Sequence, residues 1–272
     1  MRRQIENLLK KNSFIFHLSR KAFWLVSNFP RVTLLCPYQI PEERVQEILR
    51  NKEYNNVLED LTAYTGFTLD ELKPYILRHP KKHFESEFNW FDPKTRKEVT
   101  WFYRCSSGYL FGNAIHPYQT VLDRLTSGTV LDYGAGAGCN TIGLAKRGLS
   151  IDFLEISRMQ ADFINFRARR QKLPNVREIL PFHEGKFDPV FCITNHYDAI
   201  VAMDVLEHIP DYPVVIDHFI GRLKPGGILI EKSPFDPNGS DTSIHVPSTI
   251  PLEEIMAGRM DKVDAGVWKK RA

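Results

Sequence analysis

The chain has 272 residues, 43% of them hydrophobic and 25% charged, with a formal net charge of +3. That length suits one large domain with an extension, or two domains, and the composition is ordinary for a globular protein. So mild a charge tells against the dense basic stripe of a nucleic-acid-binding domain. The four cysteines (Cys36, Cys105, Cys139 and Cys192) are scattered and form no CxxC pair, which argues against a zinc or redox motif. They read as free thiols in a reducing compartment, and a cytoplasmic location is expected. No run of about 18 apolar residues marks a membrane-spanning helix.

At the N-terminus Arg2, Arg3, Lys10 and Lys11 interleave with Ile5, Leu8, Leu9 and Phe14. Charges inside the apolar stretch tell against a signal peptide. A basic amphipathic helix can lie on an anionic membrane as a peripheral contact. Packing of its apolar side on the rest of the protein is the preferred reading. Residues up to about 80 read as helical. Pro41-Glu42-Glu43 opens one helix with proline and acids in its first turn, and Thr68-Leu69-Asp70-Glu71 fits a capping box. Two aromatic-rich runs around Asp92-Pro93-Lys94-Thr95 predict a β-hairpin over 84–103. A loop-like joint at 108–117 then leads to a helix at 118–125.

Next comes the most informative stretch, Val130-Leu131-Asp132-Tyr133-Gly134-Ala135-Gly136-Ala137-Gly138-Cys139. It reads as a buried strand, a glycine-rich turn and a helix. A ligand then lies over a helix N-terminus at the carboxyl end of a strand. Beyond it, strands are predicted at 150–154, 176–180, 197–203 and 228–230, and helices at 159–172 and 213–223. The second helix stops at Lys224-Pro225-Gly226-Gly227. This alternation predicts an α/β, Rossmann-like, doubly wound and mostly parallel sheet. The expected domains are a mainly helical extension with a β-hairpin over 1–115 and the α/β domain over 116–272.

The glycine spacing is GxGxG rather than GxGxxG, which tells against a dinucleotide fold. Glu155 ends the second strand roughly twenty residues past the turn, where a carboxylate can accept both ribose hydroxyls of a nucleoside. A solvated helix cap, a role Ser157 can fill, is the alternative. The third piece is Tyr197-Asp198-Ala199-Ile200-Val201-Ala202-Met203-Asp204-Val205-Leu206-Glu207-His208, and the fourth is Leu223-Lys224-Pro225-Gly226-Gly227.

In this order and spacing, the four pieces resemble the class I S-adenosylmethionine-dependent methyltransferases, over about residues 118–235. The motif set is most similar to the ubiquinone-pathway O-methyltransferase-like group. The resemblance implies a seven-stranded sheet and S-adenosylmethionine as cofactor. It also implies that Asp132, Gly134, Ala135, Gly136 and Gly138 hold the methionine part. Glu155 would bind the ribose and Ile156 pack on the adenine, with Asp204 and Val205 on the other side. Members of this family place a polar residue after the third strand. Glu184, Asp188 and Asn195, all in a long insert at 181–196, remain open for that place. After a helix at 252–260, the remaining residues leave room for barely two short strands, so a sheet curtailed at the C-terminus is one outcome.

Methyl transfer is an in-line displacement, so the protein's main work is positioning in a dry site. A base is needed when the acceptor is a hydroxyl or a protonated amine. His208, His116 and His245 are the candidates, and ordering of its own loop is the competing reading of His208. Asp204, Glu207 and His208 would share one face of a helix and can grip a hard divalent cation, as the resembling ubiquinone-pathway enzymes do. A solvated helix face with a cofactor contact at Asp204 is preferred, and no metal is assigned. The extension over 1–115 would be the acceptor-side lid, and the aromatic run from Trp90 to Phe111 would either roof the acceptor or form the core of the extension.

The expected function is methyl transfer to a small-molecule acceptor of natural-product, sugar or quinone-like type. A protein or nucleic-acid methyltransferase and a catalytically silent cofactor-binding subunit are the alternatives. Asp204-Val205-Leu206-Glu207 is unlike the Asn/Asp-Pro-Pro-Tyr set of many base methyltransferases, so no nucleic-acid partner is expected.

Overall fold

A computed structural model of the protein describes residues 37–39, 52–68, 70, 78–80, 119–233, 235 and 250–271. The described residues fall in two compact units, those up to residue 80 in one and those from residue 119 in the other. The hairpin expected over 84–103, the joint at 108–117 and the helix start at 41–43 lie outside the described residues.

In the first unit, β1 (Pro37–Gln39) precedes α1 (Lys52–Thr65), and β2 (Arg78–Pro80) follows it. β1 and β2 pair antiparallel, Pro37 opposite Pro80. This small sheet corrects the wholly helical reading of the segment. Three-residue strands, each with a proline at one end, are too short to show an alternating pattern. α1 buries Val57, Leu58 and Leu61. Its last turn is closed by the Thr65 hydroxyl, which donates to Leu61 O at 2.7 Å and accepts from Phe67 N at 3.2 Å.

The second unit runs α2 (Gln119–Arg124), β3 (Thr129–Tyr133), α3 (Cys139–Lys146), β4 (Ser150–Leu154), α4 (Arg158–Arg170) and β5 (Val176–Ile179). A small hairpin follows, β6 (Phe182–His183) with β7 (Lys186–Phe187), inside the long insert. Then come β8 (Tyr197–Met203), a 3-10 turn at Leu206–His208, α5 (Tyr212–Arg222) and β9 (Leu223–Lys232). α6 (Leu252–Met256), β10 (Met260–Asp264) and β11 (Val267–Lys270) complete the order.

Seven of these strands form one sheet in the order β10-β11-β9-β8-β3-β4-β5. β4, β3, β8 and β9 pair in parallel, as do β4 and β5, while β11 runs antiparallel between β9 and β10. Both C-terminal strands are present, and both are short. Lys270 Nζ fastens β11 to the end of α5, donating to Ile220 O and Leu223 O at 2.7 Å each. Lys224–Gly227 does not separate helix from strand, as the sequence suggested. Leu223 already pairs with Tyr197, and the next pairs are Ile228 with Ala199, so the proline-glycine segment bulges from the ladder.

Alternation along the strands feeds two cores. Leu131, Tyr133, Ile200 and Ala202 pack toward Ile216 and Phe219 of α5. Val130, Ala199 and Val201 pack toward Leu144 and Ala145 of α3, with Val121 and Leu125. A sheet covered on both faces explains why the 197–203 strand reads as a continuous apolar run. Strand order reverses between β3 and β8, and the carboxyl edge at such a switch point is where open α/β sheets bind ligands.

The opposite end is locked by Asp152. Its carboxylate accepts from Arg177 Nε at 2.7 Å and Nη2 at 2.5 Å, from the Tyr197 hydroxyl at 2.8 Å, and from Asn195 Nδ2 at 3.0 Å. Burial pushes this carboxyl up, but the three donors outweigh burial and leave it below the ordinary carboxylate value. Asp152→Ala strands the buried Tyr197 hydroxyl and should lower urea-unfolding stability by about 2–4 kcal/mol. Because the carboxyl is held low, the wild-type advantage should be full at neutral pH and fade as pH falls through the acid range. A variant with unchanged stability at pH 7 would refute this role.

Candidate active site

The glycine turn leaves β3 and folds back onto β4. Gly134 N and Ala135 N both donate to Leu154 O, at 2.8 and 3.2 Å, and Gly138 N donates to Ala135 O at 2.9 Å. Gly134 and Gly138 have φ of 70° and 74°, where a side chain is strained. A Cβ on Gly134 would lie 2.4 Å from Val205 Cγ2, and one on Gly138 would lie 2.6 Å from Ile164 Cγ1. The missing side chains therefore let the tip of β8 press on the turn from one side and α4 from the other.

Glu155 follows β4 directly. Its Oε2 accepts from Gly136 N and its Oε1 from Ser157 N, both at 2.7 Å. The Ser157 hydroxyl makes no capping bond, so Glu155 rather than Ser157 ties the first turn of α4. Burial pushes this carboxyl up to about 7 against those two hydrogen bonds, and the Asp132 charge adds to the rise. Asp132 lies on the other side of the turn, and the Thr141 hydroxyl donates to its Oδ2 at 2.6 Å. Burial raises it to about 6 despite that bond. In the first turn of α3, the buried Asn140 Oδ1 accepts no hydrogen bond among the described residues.

At the tip of β8, Asp204 is a non-glycine residue at φ 51°, held by its N–H donating to Lys232 O at 2.7 Å. Strain of this kind concentrates at functional sites. The chain then enters a 3-10 turn, not an α-helix, so Asp204, Glu207 and His208 do not share the helical face expected of them. No group of three potential metal ligands occurs among the described residues. Glu207 is buried and its Oε2 accepts no hydrogen bond there, while burial raises its carboxyl to about 8. His208 is part-exposed, with Nε2 3.8 Å from Glu207 Oε1.

The structure thus gathers Asp132, Gly134, Ala135, Gly136, Gly138, Glu155 and Val205 around one turn. Ile156 packs half-buried beside the core that contains Tyr133 and Leu154. His116 and His245 lie outside the described residues. Of the three polar residues open for the insert, Asn195 is committed to Asp152 before the amino end of β8. Glu184 is exposed in the β6–β7 turn. Asp188 binds Val190 N and Phe191 N, and its charge reaches Tyr133 at the tip of β3. Sequence reasoning missed Asn140 and the buried Arg167. Both sit in helices where polar residues ordinarily face solvent, so their spacing carried no signal.

A family model described as a methyltransferase domain matches residues 108–249, just over half of the chain. The chain belongs to this methyltransferase family. It is 28% identical over 103 residues to a ubiquinone biosynthesis O-methyltransferase of Paramagnetospirillum magneticum, covering 38% of this chain and 39% of that one. It is 31% identical over 110 residues to a ubiquinone biosynthesis O-methyltransferase of Psychrobacter cryohalolentis, covering 37% and 38%. The chain thus spans under half the length of these curated relatives. Among solved structures, it is similar to TehB from Haemophilus influenzae, with a TM-score of 0.44 and 16% identity over 60% of this chain and 65% of that one.

Raised carboxyls fix the sign of a pH effect on this methyltransferase domain. The folded protein holds protons that the unfolded chain releases, so the stabilisation is full below about pH 4 and lost as pH rises toward 7. For Glu155 the decline should total roughly 3 kcal/mol, and Glu155→Gln should flatten it in urea unfolding measured from pH 4 to 8. Parallel curves for the two proteins would contradict it. Gly134→Ala should destabilise the fold by about 2–4 kcal/mol through the Val205 overlap and the left-handed backbone. Adding Val205→Ala should recover part of that loss, and a double variant no more stable than Gly134→Ala would disprove the contact.

Proposed function

We propose that the chain transfers the methyl group of S-adenosylmethionine to an oxygen of a small-molecule acceptor. The observation that supports this best is the Glu155 carboxyl, fastened beside the glycine turn at the switch point of the sheet. Each carboxylate oxygen accepts one backbone N–H, which leaves lone pairs for the two ribose hydroxyls. The surrounding groups fit the cofactor chemically. Asp132 and the open Asn140 Oδ1 are acceptors suited to the methionine ammonium, and the acidic surroundings suit a sulfonium. Ile156 offers an apolar face to the adenine, and Asp204 and Val205 flank it from β8.

When bound, S-adenosylmethionine supplies a sulfonium-activated methyl group. This chain's residues then bind and orient. The turn from Gly134 to Gly138 and the start of α3 hold the amino-acid end, and Glu155 fixes the sugar. His208, beside the tip of β8, takes the proton of an acceptor hydroxyl. Transfer to oxygen, and a quinone-like acceptor, follow the names of the curated relatives. Selection of the acceptor is assigned to residues 1–115.

Titration calorimetry should detect binding of S-adenosylmethionine and none of NAD. Glu155→Ala should weaken that binding about 10–100-fold, the range for losing hydrogen bonds to a charged acceptor. Radiolabelled methyl from the cofactor should appear in hydroxylated small molecules. Label found only in protein or nucleic acid would overturn the acceptor class, and NAD binding would overturn the cofactor.

A further inference from the structure

Helix α4 underlies the glycine turn through one stripe of side chains. Ala161 and Ile164 form a small cluster against which Ala135 packs, and Ile164 is the residue that a Cβ on Gly138 would strike. Three residues further on, and therefore on the same face, stands Arg167. It is only 2% exposed, and its Nη1 donates to Ala137 O at 2.8 Å. Its guanidinium lies 5.6 Å from the Phe163 ring centroid and hydrogen-bonds the Cys139 side chain. Burying a guanidinium is costly, and an aliphatic side chain like that of Ile164 would fill the same stripe without that cost. The position beside the first residue of α3 adds to the cost, because a helix N-terminus already carries partial positive charge. The hydrogen bond to Ala137 O and the Phe163 ring offset that cost, and the carbonyl so held belongs to the turn itself.

We infer that Arg167 is a positioning residue that sets the Ala137–Gly138 peptide and the start of α3 for the amino-acid end of the cofactor. Ala137 O is drawn down toward α4 by Arg167, while Gly138 N donates to Ala135 O. The peptide is thereby held by both its ends. The adenine and ribose end depends instead on Glu155 and Ile156. This inference rests on the methyltransferase reading of the site, and it adds which part of the ligand Arg167 serves.

The test uses two probes that differ in that part alone. S-adenosylhomocysteine carries the amino-acid end, and 5′-deoxy-5′-methylthioadenosine lacks it. Both should bind the wild-type protein in titration calorimetry. Arg167→Met should weaken S-adenosylhomocysteine at least tenfold while leaving methylthioadenosine within about twofold, and Arg167→Lys should restore most of the loss. Arg167→Gln keeps a polar group but is too short to reach Ala137 O, so it should show the same selective loss should the methionine variant fail to fold. Equal weakening of both probes would reduce Arg167 to a structural role and overturn the inference, as would unchanged affinity for S-adenosylhomocysteine. A wild-type protein that binds neither probe would instead overturn the function proposed above.

Discussion

Two hydrogen bonds to one carboxylate hold the functional edge of this protein together. Glu155 takes Gly136 N on one oxygen and Ser157 N on the other. A single side chain thereby joins the glycine turn after β3, the end of β4 and the beginning of α4. The geometry of the remaining site residues depends on that junction. Gly134 and Ala135 can both reach Leu154 O only because the turn is drawn back over β4. Ile164 and Arg167 meet the turn only because α4 starts where Glu155 fixes it.

The site is costly for the fold that carries it. Asp132, Glu155 and Glu207 are buried acids whose carboxyls burial raises to about 6, 7 and 8. Asn140 keeps a buried carbonyl oxygen without a partner among the described residues, and Asp204 holds a backbone conformation that side chains disfavour. Arg167 adds a buried cation. Burying these polar groups costs stability that apolar residues of similar size would not lose, and Glu155 and Arg167 offset part of it through their hydrogen bonds to the turn. They share one end of the sheet. At the other end, Asp152 is saturated by Arg177, Tyr197 and Asn195 and serves stability. The molecule thus separates a satisfied polar network at the amino side from buried, raised carboxyls at the carboxyl side. That asymmetry is expected of a sheet that binds its ligand at the switch point.

The same logic explains the shape of the 203–208 segment. As a helix it would place two acids and a histidine on one face. The chain instead turns sharply at Asp204, because Asp204 N is bound to Lys232 O of the neighbouring strand and Val205 is pressed against Gly134. Glu207 then turns inward and His208 stays partly open. Spacing on an assumed helix cannot foresee this, because the deciding contacts come from β9 and from the glycine turn.

The sequence by itself determined the alternation of strands and helices from residue 129 onward, the glycine turn and the carboxylate at the end of the second strand. Those features are local. They follow from apolar periodicity, from backbone angles that favour glycine and from short motifs, each contained within about twenty residues. Tertiary structure alone decided the rest. It paired β1 with β2 across more than thirty residues, let the Lys224–Gly227 segment bulge, and completed the sheet edge with a short C-terminal hairpin. It also turned Arg167 from one basic residue among several in α4 into a buried contact of the turn. Burial and hydrogen-bond partners depend on what comes near in space, and no periodicity along the chain records which face of a helix another segment will cover.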